Sequence, residues 1–317
     1  MPAESPRYEI AVVGPGAIGC LFGGLLKEAG HRVIMLDHRP ERAESINRKG
    51  IHIEGISGTR DIAMKATANP SDVAGCDFAL IATKSYDTGV AVNTISGVLR
   101  PSTPVMTLQN GLGNVELISR AVGDERTIGG ITSQGATLLG DGSVRHAGAG
   151  KTVIGTPSNR LTENLRRVKG MLDSSGFAPQ ISDDLESTIW SKLLINVGIN
   201  ALTAITRLNN GRLLEFGGTR SIMQDAVREA VAVADARGIA LAHGDPLAQV
   251  EEVCRLTAAN VSSMLQDVLA RRRTEIDAIN GAVARIGLEL GIPTPVNSVL
   301  ASLVHTIESS YHLQVSR

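Results

Sequence analysis

Aromatic side chains are scarce: one Trp, three Tyr and four Phe make up 3% of the 317 residues. So thin a supply argues against a surface on which nucleic-acid bases stack. An excess of charge is lacking too. The formal net charge is −1, and the basic run Arg271-Arg272-Arg273 sits beside Glu275 and Asp277, so no positive field is expected to draw nucleic acid. The three cysteines, Cys20, Cys76 and Cys254, lie far apart and form no C-x-x-C pair. That argues against a disulfide framework and suits a reducing cytosol. The seven histidines show no paired spacing, so no metal site is expected. The polar stretch Met1 to Arg7, with two prolines, reads as neither a signal peptide nor a membrane span. Repeats and low-complexity segments are missing as well. A soluble cytoplasmic protein is the expectation.

What is present in quantity is apolar. Hydrophobic residues are 43% and charged residues 20%, enough for a substantial core, and the length predicts two domains. Tyr8 to Val13 is an apolar, β-branched run followed at once by Gly14-Pro15-Gly16-Ala17-Ile18-Gly19. A helical pattern then runs through Leu21, Phe22, Leu25 and Leu26 to Gly30, and a second apolar run, Arg32 to Leu36, ends in Asp37. Strand, glycine turn, helix and strand in this order form the context in which G-x-G-x-x-G marks a dinucleotide site. Gly14 permits the tight turn, Gly16 lets the backbone approach a pyrophosphate, and Gly19 lets helix and strand pack closely. The pyrophosphate would then meet free N–H groups of Gly16, Ala17, Ile18 and their neighbours at a helix N-terminus.

The alternation continues. Gly50 to Gly55 and Asp61 to Ala66 are predicted as short strands, and Phe78 to Thr83 as a buried parallel strand running into Lys84. Val105 to Leu108 is another strand, followed by Gln109-Asn110-Gly111. Ligands of open α/β sheets lie beyond the carboxyl ends of the strands, so Lys84 and Asn110 are ligand-side candidates. A hairpin is predicted around Gly140-Asp141-Gly142, with a strand at Lys151 to Gly155, a helix from Thr162 to Ser174 and a last strand at Phe177 to Ile181. From Asp183 onward strand signals vanish and helical pattern takes over. The predicted organisation is a dinucleotide-binding α/β domain over 1–182 and a helical domain over 183–317.

Within the helical half, Trp190 to Asn200 places Lys192, Asn196 and Asn200 four residues apart on one helix face. Such a face is either a solvated polar stripe or a ligand-facing one; Asn, a poor helix former, favours the second. A later cluster runs from Asn260 through Ser262-Ser263-Met264-Leu265-Gln266-Asp267 to Arg273-Thr274-Glu275-Ile276-Asp277 and Asn280-Gly281. Thr274 and Asp277 have the spacing of a capping box, with Glu275 opening a helical turn. Asp37 stands where a dinucleotide fold meets the adenosine ribose and would favour the 2′-OH of NAD. His38, Arg39 and Arg42 follow it, and guanidinium groups suit a 2′-phosphate; the two signals conflict. A lysine beside a nicotinamide suits reduction of a carbonyl, since an ammonium stabilises the growing oxyanion and can give it a proton.

These motifs, in their order, resemble the ketopantoate reductases (2-dehydropantoate 2-reductases). The resemblance covers nearly the whole chain. It rests on Gly14-x-Gly16-x-x-Gly19, Thr83-Lys84-Ser85, Gln109-Asn110-Gly111, Trp190-x-Lys192-Leu193-x-x-Asn196, and the Ser262–Asp267 and Arg273–Gly281 stretches. It implies a Rossmann-type doubly wound N-terminal sheet followed by an all-helical C-terminal domain, and reduction of a small 2-oxo acid, 2-dehydropantoate, with NADPH in pantothenate and coenzyme A synthesis. Lys192 would be the general acid and Glu275 the acid that helps orient substrate and lysine. Asn196, Asn200, Asn260 and Ser263 would touch substrate, with Ser263 near its carboxylate, while Lys84 and Asn110 would lie near the nicotinamide end and its ribose. The chain departs from the pattern at the ribose: many relatives close the second strand with arginine, whereas here Asp37 precedes His38 and Arg39. NAD therefore stays open beside NADP, as does another substrate, since the relatives include NAD-dependent D-mandelate dehydrogenases. A non-catalytic, redox-sensing dinucleotide module is the alternative of another class; retention of Lys192 and Glu275 counts against it. A homodimer is the base-rate expectation.

Overall fold

In the computed structural model, residues 6–241 and 244–314 are described. The chain divides into two compact units. Met1–Gln109 with Gly113–Leu185 forms the first, and Asn110–Leu112 with Glu186–Arg317 forms the second. That the short Asn110–Leu112 segment belongs with the helical half was not expected from the residue pattern.

The first unit starts with β1 (Glu9–Val13), α1 (Ala17–Glu28), β2 (Arg32–Leu36), α2 (Pro40–Lys49), β3 (Ile51–Gly55), β4 (Arg60–Ile62) and β5 (Lys65–Thr67). It continues with β6 (Phe78–Ile81), α3 (Thr88–Ser96), β7 (Val105–Thr107), α4 (Asn114–Val122) and β8 (Thr127–Thr132). Then come the hairpin β9 (Gly135–Gly140) and β10 (Ser143–Gly148), β11 (Thr152–Gly155), α5 (Glu163–Ser174) and β12 (Gln180–Ile181). The main sheet has the order β12-β11-β8-β7-β6-β1-β2-β5. Its pairings are parallel except that of β8 with β11.

Both faces of β1 are buried. Ile10 and Val12 join a core with Leu21, Phe22 and Leu165, whereas Ala11 and Val13 face Val92, Ile95 and Ile118. This is the doubly covered parallel sheet that the apolar runs imply. The predicted strand over Asp61 to Ala66 is instead split. β4 joins β3, β10 and β9 in a second, four-stranded sheet, while β5 pairs with β2 in the main one. One apolar run thus serves two sheets, which alternation alone does not reveal.

The second unit contains α6 (Leu185–Thr206), α7 (Gly217–Ala236), α8 (Pro246–Leu256), α9 (Ser263–Leu269), α10 (Asn280–Leu290) and α11 (Pro295–Ser309). By length and composition α6 could cross a membrane, but 67% of its apolar window is buried inside the protein. It serves as the core helix. Trp190, Leu193, Leu194 and Val197 pack with Met223, Ala226, Val227 and Ala230 of α7. A Cβ on Gly198 would lie 2.7 Å from Val250 Cγ1 and 3.1 Å from Val227 Cγ2, so a bare backbone at this position lets α7 and α8 close on α6. Asn280, fully buried, donates to Val197 O (3.2 Å) and to Asn297 Oδ1 (3.0 Å). Asn297 in turn donates to Glu229 (2.8 Å). This polar knot fixes the middle of α6 against α10 and α11.

Candidate active site

The strand order reverses at β1, whose neighbours are β6 and β2. In open α/β sheets the crevice at such a switch point takes the ligand. Gly14 sits there with φ +94°, and a Cβ on it would come within 2.9 Å of Thr83 backbone and side chain. A Cβ on Gly19 would meet Gly14 O at 2.2 Å. Gly14 is therefore required by the close pass of Thr83 beyond β6, and Gly19 by the packing of α1 on the turn. Gly16 is different: the nearest protein atom to its Cβ position is Ala82 O at 3.8 Å, so no protein neighbour excludes a side chain. Gly16, Ala17 and Ile18 are half-buried, and α1 begins at Ala17 with Gly16 at its N-cap position and no side-chain cap. A surface left bare at an uncapped helix N-terminus fits the pyrophosphate of a dinucleotide.

Lys84 follows β6 at the same sheet edge, half-buried, and its carbonyl accepts from Asp87 N (2.9 Å). The edge is tied together by Gln109, a residue not among the candidates above. Gln109 Nε2 donates to Thr83 O and Thr88 Oγ1 (both 2.8 Å), while its Oε1 accepts from Thr107 (2.8 Å). One carboxamide thereby joins the ends of β6 and β7 to the start of α3. Its position at a strand end, beside Asn110, was the available signal.

Asp37 is buried and already engaged. Arg42 donates to it through Nε and through Nη2 (2.8 Å), and Arg39 N donates to Oδ1 (3.1 Å). Burial opposes ionisation of this carboxyl, but the hydrogen bonds and charge of Arg42 outweigh it and hold the pKa below the ordinary value. Arg39 is half-exposed, 3.7 Å from Asp141.

In the second unit, α6 carries Lys192, Asn196 and Asn200 on successive turns. The face is not a solvated stripe: Lys192 and Asn196 are half-buried, and Asn200 is 5% exposed. Lys192 Nζ donates to Asn110 Oδ1 (2.8 Å), and Asn110 Nδ2 reaches Glu275 Oε2 at 3.4 Å. Burial pushes the Lys192 ammonium down to about 8, with the Glu275 carboxylate partly offsetting it. The carboxamide of Asn110 thus stands between a base and an acid and bonds to both.

Its placement depends on the next residue. Gly111 has φ +81°, and a Cβ there would lie 2.4 Å from Ala278 O. Leu112 N donates to the same carbonyl (2.9 Å). The turn it docks on does not form the expected capping box: Thr274 Oγ1 accepts from Ile276 N (3.2 Å), while Asp277 pairs with Arg273 and His305. That leaves Glu275, 7% exposed, facing Asn110. The buried Asn200 Nδ2 has no hydrogen-bond partner among the described residues. Beside it, Thr203 Oγ1 lies 2.6 Å from Ser262 Oγ, which caps α9 through Leu265 N (3.1 Å). Ser263, first in α9, is exposed; Asn260 is exposed in the preceding loop, its carbonyl accepting from Asn210 N (3.1 Å). Among the described residues, no group of three or more His, Cys, Asp or Glu side chains comes together as a metal site would require.

This chain resembles known proteins over nearly its full length. The family described as ketopantoate reductase PanE/ApbA matches residues 10–159, and its C-terminal counterpart matches residues 184–308. A 2-dehydropantoate 2-reductase of Halobacterium salinarum is 34% identical over 296 residues, 93% of this chain and 97% of that one. The crystal structure of a PanE/ApbA family ketopantoate reductase from Ralstonia eutropha superposes with a TM-score of 0.89 at 34% identity, covering 96% of this chain and 99% of the other. D-mandelate dehydrogenase, solved with NADH and anilino(oxo)acetate, gives 0.90 at 27% identity, covering 96% and 100%. With both family regions matched and one-third identity across the chain, this protein belongs to the ketopantoate reductase family.

Proposed function

We propose that this protein reduces 2-dehydropantoate to pantoate with NADPH, in the cytoplasm, and that Lys192 is the proton donor. The observation that carries the reading is the half-buried Lys192 ammonium, lowered to about 8 and held 2.8 Å from Asn110 Oδ1. A general acid works best with a pKa near the operating pH, and burial has moved this lysine toward that range. Gly14, Gly16 and Gly19, with Lys84 at the end of the neighbouring strand, would hold the cofactor, whose chemistry when bound would be delivery of a hydride to the carbonyl carbon.

The chain's own residues then act on oxygen and carboxylate. As charge gathers on the substrate oxygen, Lys192 Nζ stabilises it and transfers a proton, so the ketone ends as an alcohol and the lysine as a neutral amine. Glu275, through Asn110, keeps the ammonium aimed and favours its recharging from solvent. The unpartnered Asn200 Nδ2 and the Asn196 carboxamide are donors for substrate oxygens, with the exposed Asn260 and Ser263 serving the carboxylate end. Cys20, Cys76 and Cys254 are free and buried, in keeping with a reducing compartment.

The test is ketopantoate-dependent oxidation of NADPH by the wild type and by Lys192→Ala. The variant is expected to lose about 100- to 10,000-fold in turnover while keeping its NADPH affinity. An active variant would remove Lys192 from the role. Running several branched 2-oxo acids in parallel decides the substrate, since D-mandelate dehydrogenase is a structural neighbour; equal rates across them would displace ketopantoate.

A further inference from the structure

The residue that ties the strand ends together directly precedes the one that accepts from Lys192. We infer that Gln109 is the positioning residue for Asn110: its carboxamide fixes where the chain leaves β7, and with it where the Asn110 side chain meets Lys192. This deepens the proposed proton transfer and rests on that reading of Lys192.

Gln109 is the last residue of the first unit before the excursion, and Asn110 is the first of the three that belong with the second. Both polar atoms of the Gln109 side chain are bonded inside the first unit. Its Oε1 accepts from Thr107 Oγ1, and its Nε2 donates to Thr83 O and Thr88 Oγ1, each at 2.8 Å. Thr88 Oγ1 donates onward to Asn114 Oδ1 (2.8 Å). The direction of these bonds allows one setting of the amide: turned over, Oε1 would face the Thr83 carbonyl, acceptor against acceptor. The backbone is held as well, since Gln109 N donates to Thr107 Oγ1 (3.1 Å). The anchors have little room to give. Thr88 and Thr107 are 0% and 2% exposed, and a Cβ on Gly14 would lie within 2.9 Å of Thr83. In so enclosed a network, breaking any one bond leaves a buried group without its partner.

Asn110 is thus held from behind by Gln109 and from ahead by Leu112 N, which donates to Ala278 O (2.9 Å). Its short side chain pivots on few torsions, each confined to preferred settings. It cannot restore both a 2.8 Å contact with Lys192 Nζ and a 3.4 Å reach to Glu275 once its backbone has moved. Loosening Gln109 should therefore be felt at the ammonium, through loss of an acceptor that favours its charged form. A clamp that served the sheet alone predicts something else. The protein would be less stable, but Lys192 would be unaltered in every folded molecule.

The experiment is competitive labelling of lysines with acetic anhydride across a range of pH, read peptide by peptide in a mass spectrometer, on the whole protein. Gln109→Met keeps the length of the side chain and removes its hydrogen bonds. Thr107→Val removes one donor to Gln109 and is the companion should the first variant fail to fold. The titration midpoint of Lys192 is expected to fall by about one unit in Gln109→Met, the effect of losing one hydrogen bond to a charged group. It should fall by less in Thr107→Val. Exposed Lys151, the internal reference, should keep its midpoint. The alkaline limb of kcat/KM for 2-dehydropantoate should move down in step with Lys192. An unchanged Lys192 midpoint in whichever variants fold overturns the inference, whatever the loss of rate or melting temperature. The labelling contains no 2-oxo acid, so it also separates the two readings. A midpoint that moves while the limb of the reaction stays in place supports Gln109 as the residue that positions Asn110, and removes Lys192 as the acid.

Discussion

A lysine lowered to about 8 is still mostly charged at neutral pH and loses its proton only a unit or so above it. Reduction of a ketone needs the ammonium, so kcat/KM for 2-dehydropantoate should hold steady below pH 8 and fall as pH rises through it. Oxidation of pantoate needs the free amine and should rise over the same interval. Asn110 gives a way to move that limb. Asn110→Asp would place a carboxylate 2.8 Å from Nζ, which favours the charged lysine. The alkaline limb of reduction should then shift upward by about one unit. A profile that ignores the substitution would assign the limb to another group. Lys192 and Glu275 were both recognisable in the sequence, one from its helical spacing with Asn196 and Asn200, the other from family resemblance. The bridge between them was not, because Asn110 looks from the sequence like the end of a first-unit strand.

Among the elements, α6 carries the most. Its apolar sides form the core of the second unit, and its polar face presents Lys192, Asn196 and Asn200. The stripe could be read from the four-residue recurrence alone. What could not be read is how closely the neighbours approach, which Gly198 and the Asn280 contact to Val197 determine. Gly198→Val would drive two methyl groups into Val250 and Val227, and overpacking of this kind costs about 1–3 kcal/mol. A lowered melting temperature is the expected result, with activity per folded molecule reduced as α6 shifts. The strands tell a similar story. The central parallel ones were plain as apolar runs, while the division of Asp61 to Ala66 between two sheets depended on a nearby partner, β3, for one part and a distant one, β2, for the other.

The molecule as a whole has its strands up to Ile181 and, among the described residues, only helices from Leu185 onward, with the units parting between Leu185 and Glu186. Its one irregularity is Asn110–Leu112, which sits with the second unit although the chain on both sides of it belongs to the first. No periodicity marks such an excursion. Its trace in the sequence is Gly111, needed because the backbone passes against Ala278 at φ +81°. Gly111→Ala should cost about 1–3 kcal/mol from the left-handed conformation alone, with the contact to Ala278 adding to it. The predicted readout is a loss of thermal stability together with a fall in kcat larger than any rise in KM, since the substitution displaces the acceptor of Lys192.

That excursion limits how modular the enzyme can be. A fragment cut before Glu186 contains the lysine and the glutamate but leaves behind the side chain that joins them. A chimera that takes residues 186–317 from one relative and the remainder from another inherits Lys192 and Glu275 from one parent and Asn110 from the other. Exchanging the helical half with its own three-residue segment should preserve activity where exchanging the half alone does not.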